Sequence, residues 1–237
     1  KADEKQRQEF EYQLAIAALT AWLKFYKEKG WEVDKSTEEF IRNMPKAGHN
    51  AGFDVLELKS LSSNSFEETI FTRRSVRDFS DKAILEEDLD FAIQCFIAAP
   101  TACNRQMCKI YRIMNPEHKE LLTNTILGIG GFDIPNTNLF LFTYDVAAFE
   151  FYGERNQGYV NVGLTAMNFA NGLHAKGIGS CFMQWSNNRT NDKMIRKKLG
   201  IPKSERIGLL LGAGYYKDGS FIPKSTRKSI NSVYQVI

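Results

Sequence analysis

Three arginines and a serine fall within five residues at Arg73-Arg74-Ser75-Val76-Arg77. Like charges this close repel one another, and a phosphate, which guanidinium meets bidentately, would relieve the repulsion, so the segment can act as an anion clamp. The same residues also suit a solvated helix end, where cations complement the dipole. A second polar cluster, Ala99-Pro100-Thr101-Ala102-Cys103-Asn104-Arg105-Gln106, lies between the end of a helical pattern and the start of a β-prone run. Taken alone, it is ordinary turn chemistry.

The other reactive side chains form no constellation. His49, His118 and His174 share no helical or turn spacing, and Cys95, Cys103, Cys108 and Cys181 include no C-x-x-C pair, so neither a metal site nor a disulfide framework is expected. His174, near the end of a helical pattern, reads as a surface or capping residue, and Cys103 as a spectator thiol. Gly128-Ile129-Gly130-Gly131 has Asp133 where a nucleotide loop needs its third glycine and no Lys-Ser/Thr follows, which makes it a flexible turn. No serine sits in a Gly-x-Ser-x-Gly elbow.

Composition narrows the partners. The 237 residues are 43% hydrophobic and 25% charged, the usage of a folded globular chain. A net charge of +3 gives no bulk argument for nucleic-acid or membrane binding. There is no apolar run of about eighteen residues, and reduced thiols fit a cytoplasmic setting. The chain opens on a charged segment without Met, which leaves the removal of an upstream segment open.

Several elements must position these residues. Apolar residues at three- and four-residue steps from Gln8 to Lys29 predict an amphipathic helix ended by Gly30. Ser36-Thr37-Glu38-Glu39 and Ser65-Phe66-Glu67-Glu68 are capping-box patterns, the first opening a short helix before Pro45 and the second a helix to about Arg74. Leu85, Leu89, Ala92, Ile93 and Phe96 mark a further helix, and Asn191–Leu199 a last one. Strands are expected at Lys109–Ile113, Asn138–Tyr144, Gly179–Trp185 and Arg206–Leu211. A helix from about Glu154 to Lys176 has so little polar surface that it should be buried, with a neighbouring backbone or flat group packed on glycines such as Gly163 and Gly172. The Gly- and Ser-containing stretch Gly48–Ser65 separates an N-terminal helical arm, residues 1–60, from a main body, residues 61–237.

The two polar clusters in this order and spacing resemble the nitroreductase-type FMN-dependent flavoproteins. The likeness runs on through Gly177-Ile178-Gly179-Ser180-Cys181-Phe182-Met183-Gln184-Trp185, Leu199-Gly200-Ile201-Pro202, Leu211-Gly212-Ala213-Gly214 and the basic tail Pro223-Lys224-Ser225-Thr226-Arg227-Lys228, covering roughly residues 66 to 229. It implies an α+β sandwich, a mostly antiparallel central sheet flanked by helices, assembled as a homodimer with FMN at the interface. It also implies that Arg73, Arg74, Ser75 and Arg77 hold the phosphate, the ribityl chain and part of the ring edge. Pro100, Thr101, Asn104 and Gln106 would approach the flavin largely from the partner subunit. Gln184 and Trp185 would present backbone near flavin N5, with the Trp185 N–H as donor, and Lys224 and Arg227 would reach the phosphate.

The sequence departs from the family in two places. Met107-Cys108 stands where many relatives have Pro-Trp, and the Lys119–Asn138 interval, which often covers the active site, is short. The activity implied is transfer of electrons from NAD(P)H to a small organic acceptor such as a nitroaromatic or quinone, with no catalytic side chain required. The alternatives are a specialised flavin enzyme of the same fold, such as a dehalogenase or azoline oxidase, and a non-catalytic flavin or metabolite binder.

Overall fold

The capping box at Ser65 forms as its sequence predicts. Ser65 Oγ accepts from the Glu68 N–H at 3.2 Å, and the Glu68 carboxylate accepts from the Ser65 N–H at 3.3 Å. The computed structural model describes residues 2–48, 53–55 and 65–237; most of the Gly48–Ser65 connection, His49 included, lies outside them. In chain order the elements are α1 (Ala2–Glu28), α2 (Lys35–Arg42), β1 (Phe53–Val55), α3 (Phe66–Thr72), α4 (Glu86–Ile97), β2 (Cys108–Ile113), α5 (Pro116–Thr123), β3 (Asn138–Asp145), α6 (Gln157–Ala175), β4 (Ile178–Gln184), α7 (Arg189–Lys198), β5 (Glu205–Tyr215) and β6 (Phe221–Pro223).

Two compact units are present, Lys1–Val55 with Phe221–Ile237, and Leu56–Ser220. The basic tail thus groups with the N-terminal helices rather than with the main body, because β6 pairs antiparallel with β1, Phe221 opposite Val55. In this first unit α1 carries an aromatic cluster: the Trp22 and Tyr26 rings lie 4.3 Å apart, tilted by 38°, and Phe25 meets Trp31 and Phe221 edge-on at 5.8 and 5.2 Å. The cap of α2 differs from expectation. Asp34, two residues before Ser36, is the cap: its carboxylate accepts from the Thr37 N–H at 2.9 Å and from the Ser36 hydroxyl at 2.6 Å, so the Ser36 hydroxyl is itself a donor to the cap.

The second unit is built on a four-stranded sheet in the order β2-β3-β5-β4, every pair antiparallel. One face packs Phe140, Phe142 and Leu211 against Phe169 and Leu173 of α6 and Leu89 and Ala92 of α4. The opposite face packs Leu139, Leu141 and Leu210 against Leu122 of α5 and Ile195 of α7. With both faces covered, β3 is apolar at successive positions from Leu139 to Phe142 rather than alternating. This is the expected α+β sandwich with a mostly antiparallel sheet.

Helix α6 has no exposed residue from Thr165 to Ala175, as expected of a buried helix, whereas its N-terminal half keeps one face open. Gly172 lets the Ala92 backbone approach: a Cβ there would stand 2.8 Å from Ala92 Cα. Gly163 faces outward with nothing within 4 Å, alongside exposed Tyr159, Val160 and Leu164. Across the sheet, the buried Glu205 carboxylate takes hydrogen bonds from Lys109 at 2.5 Å, Tyr111 at 2.9 Å and Thr143 at 2.6 Å, tying β2, β3 and β5. Burial alone would raise its pKa, but these donors hold it below the usual carboxylate value.

Candidate functional site

Helix α3 ends at Thr72, two residues before the expected Arg74, because Arg73 is already extended at φ −56°, ψ 132°. The arginine segment then runs along the outer edge of β4. Ser75 makes a parallel bridge to Ser180, and the Val76 N–H donates to the Ser180 carbonyl at 3.1 Å. Farther on, Phe79 bridges Tyr216 and the Ser80 N–H donates to Tyr215 at 3.0 Å. Two glycines make this close docking possible: a Cβ on Gly214 would stand 2.7 Å from Phe79 Cβ, and one on Gly179 2.9 Å from the Tyr216 ring.

Arg74 turns its guanidinium back to the carbonyls of Phe71 and Arg73, at 2.7 and 3.0 Å. The Arg77 guanidinium lies 5.6 Å from the Phe132 ring centroid, and its carbonyl accepts from the Asp133 N–H at 2.9 Å. The short interval after α5 is therefore fastened to the third arginine of the clamp. Among the described residues neither Arg74 nor Arg77 pairs with a carboxylate. Ser180 Oγ is buried without a hydrogen-bond partner on the strand that Ser75 bridges.

The second cluster lies elsewhere. The loop from Pro100 to Gln106 precedes β2 and holds three non-glycine residues in the left-handed region: Cys103 and Asn104 at φ 52°, and Gln106 at φ 49°. Such conformers cost on the order of 1 kcal/mol or more each and persist only when neighbours enforce them. Thr101 Oγ1 accepts from the Gln106 N–H at 3.0 Å, and Asn161 of α6 accepts from the Ala102 N–H at 3.3 Å. Arg105 bonds the Ala148 carbonyl at 2.8 Å and pairs with Glu154 at 2.8 Å. The Arg105 guanidinium and two backbone N–H donors hold the Glu154 carboxyl down at about 2.

Strand pairing fixes the separation of the two clusters. Ser75 is level with Ser180 and Ala213, whereas Cys108, just after the loop, is level with Tyr144 and Arg206. Four strand spacings across and seven residues along β5 place them on the order of 30 Å apart, at diagonally opposite corners of the sheet. Gln184 ends β4, and Trp185 follows it; the Trp185 indole donates to Asp192 at 3.0 Å, and Arg196 holds that carboxylate at 2.8 Å. Lys224 and Arg227 follow β6 in the other unit. A cavity of about 250 Å³, lined among others by Tyr111, Ile113, His118, Leu141 and Ile201, contains none of the expected site residues.

His174 is the residue that the sequence reading placed wrongly. It is fully buried in the last turn of α6, not at the surface, with Nε2 2.8 Å from Thr72 Oγ1 and Nδ1 2.7 Å from the Tyr216 hydroxyl. Burial, with the Arg73 and Arg74 charges adding to it, pushes the imidazole down to about 4. Its partners come from α3 and the end of β5, 102 and 42 positions away, so local spacing carried no signal of them.

The Nitroreductase family pattern matches residues 70–130 and 135–215, and the chain belongs to that family. A protein of Archaeoglobus fulgidus, provisionally named NADH dehydrogenase/NAD(P)H nitroreductase, is 24% identical over 149 residues, covering 63% of this chain and 84% of its own. The nitroreductase family protein of Streptococcus pneumoniae has the same fold, with a TM-score of 0.63 at 19% identity, covering 73% of this chain and all of that one. An FMN-dependent nitroreductase of Clostridium difficile superposes at a TM-score of 0.53 and 21% identity, covering 64% of this chain and 90% of its own.

Proposed function

We propose that this protein is an FMN-dependent oxidoreductase that takes electrons from NAD(P)H and passes them to a small organic acceptor, working as a cytoplasmic homodimer. The observation that carries the reading is the pairing of an arginine clamp with a strained polar loop at opposite corners of one sheet. One subunit holds these clusters too far apart to share a small cofactor, which supports a site completed by the loop of a second copy. The exposed stripe of Tyr159, Val160 and Leu164 on α6 supports the same assembly.

The residues present fit FMN. Arg74 and Arg77, without carboxylate partners among the described residues, suit a phosphate, and the orphaned Ser180 Oγ beside Ser75 suits a hydroxyl-bearing chain. Bound FMN would supply hydride acceptance from NAD(P)H and onward electron transfer to a nitroaromatic or quinone, in a ping-pong sequence. Arg73, Arg74 and Arg77 would anchor the phosphate and offset negative charge. The Trp185 backbone N–H, on a residue whose indole is held by Asp192, would donate to the ring edge. Pro100, Thr101, Asn104 and Gln106 of the second copy would cover the ring and exclude water. No side chain of this set needs to gain or lose a proton.

The purified protein should be yellow, and the released chromophore should have the mass of FMN. In stopped flow, NADPH or NADH should bleach it and a nitroaromatic or quinone should restore the colour; reduction by dithionite alone would overturn the electron-transfer reading. Arg77→Glu should be colourless, and stoichiometric FMN in that variant would remove the clamp assignment.

A further inference from the structure

His174 takes no part in the chemistry proposed above, yet its hydrogen bonds can be assigned completely. Thr72 Oγ1 lies 2.7 Å from the Glu68 carbonyl oxygen, which can only accept, so the single hydroxyl hydrogen of Thr72 points there. Toward His174, Thr72 Oγ1 must then accept, and Nε2 at 2.8 Å carries the ring hydrogen. Nδ1 of the neutral ring is left bare, and it accepts from the Tyr216 O–H at 2.7 Å. The chain runs in one direction, from Tyr216 through His174 and Thr72 to the carbonyl of Glu68, with each hydrogen used once.

The two ends of this chain bracket the arginine segment. Thr72 immediately precedes Arg73, and Tyr216 bridges Phe79, two residues beyond Arg77. We propose that His174, as the Nε2–H tautomer, is a positioning residue that fixes both ends of the Thr72–Phe79 segment and so sets the spacing of the arginines for a phosphate group. Its own ring touches no ligand. The neutral state that a one-directional chain requires is favoured by burial and by Arg73 and Arg74, which disfavour a second proton on the ring. The proposal rests on the flavin reading, and it predicts an effect on the phosphate end of the cofactor alone.

The test compares FMN with riboflavin, which lacks the phosphate, by titration of flavin fluorescence into apoprotein. Wild type should prefer FMN. His174→Leu should weaken FMN about tenfold, the scale of one lost buried hydrogen-bond chain, with riboflavin affinity unchanged. His174→Gln, whose side-chain amide can still donate to Thr72, should recover most of the FMN affinity. Equal loss of both flavins, loss of neither, or no recovery in the Gln variant would overturn the positioning role while leaving the flavin reading intact. Wild type that binds neither flavin would overturn both. Should His174→Leu not fold, the nitrogen spectrum of the wild-type imidazole decides: a protonated Nε2 and bare Nδ1 are expected, and the opposite tautomer would overturn the proposal.

Discussion

Lowering the pH should destabilise the protein through His174 in a window set by its surroundings. The folded imidazole titrates at about 4 and the unfolded one near its ordinary 6.5, so between these values the unfolded chain binds more protons. The contribution of His174 is therefore complete above about 6.5 and is lost as the pH falls toward 4, at most about 3 kcal/mol in all. Urea unfolding at a series of pH values should show a steeper loss across this window in wild type than in His174→Gln; parallel curves would mean that the ring is not held neutral. Neither this residue nor Glu205 could be read from sequence. Lys109, Tyr111 and Thr143 become ligands of one carboxylate only when β2, β3 and β5 pair, whereas the arginine cluster and the Thr101–Gln106 loop could be picked out because each is contiguous in the chain.

Helix α6 shows what periodicity can and cannot say. Its small residues correctly announced a close neighbour at Gly172, where α4 brings the Ala92 backbone within reach of any added Cβ. Gly172→Ala should therefore destabilise by about 1–3 kcal/mol through overpacking, despite the better helix propensity of alanine; an unchanged or raised melting temperature would show that α4 can withdraw. At Gly163 the same residue type faces outward, and composition alone cannot separate the two faces. The four long strands and every α-helix but α5 were legible in the sequence, most within a few residues, although α1 begins six residues before the expected Gln8. The three-residue strands β1 and β6 were not, being too short for alternation to register and stabilised by pairing across most of the chain. The end of α3 was also misplaced, since helix-compatible Arg73 and Arg74 are drawn into extended form by the edge of β4.

For the whole molecule, the diagonal arrangement of clamp and loop makes a complementation experiment decisive. Arg77→Glu disables the clamp, and Asn104→Glu sets a carboxylate in the loop; each variant alone should lose FMN. If clamp and loop come from different copies, refolding the two variants together should restore binding at about a quarter of the sites, because half the dimers are mixed and each mixed dimer has one intact site. No recovery would mean that a single subunit builds the whole site. The position of the clamp has one more consequence. Among the described residues no further strand lies beyond β4, and the Ser75–Val76 stretch occupies backbone groups there that would otherwise be a template for foreign chains. The stretch that would bind the cofactor also guards the sheet against self-association, so substitutions that unseat it should lower solubility as well as flavin content.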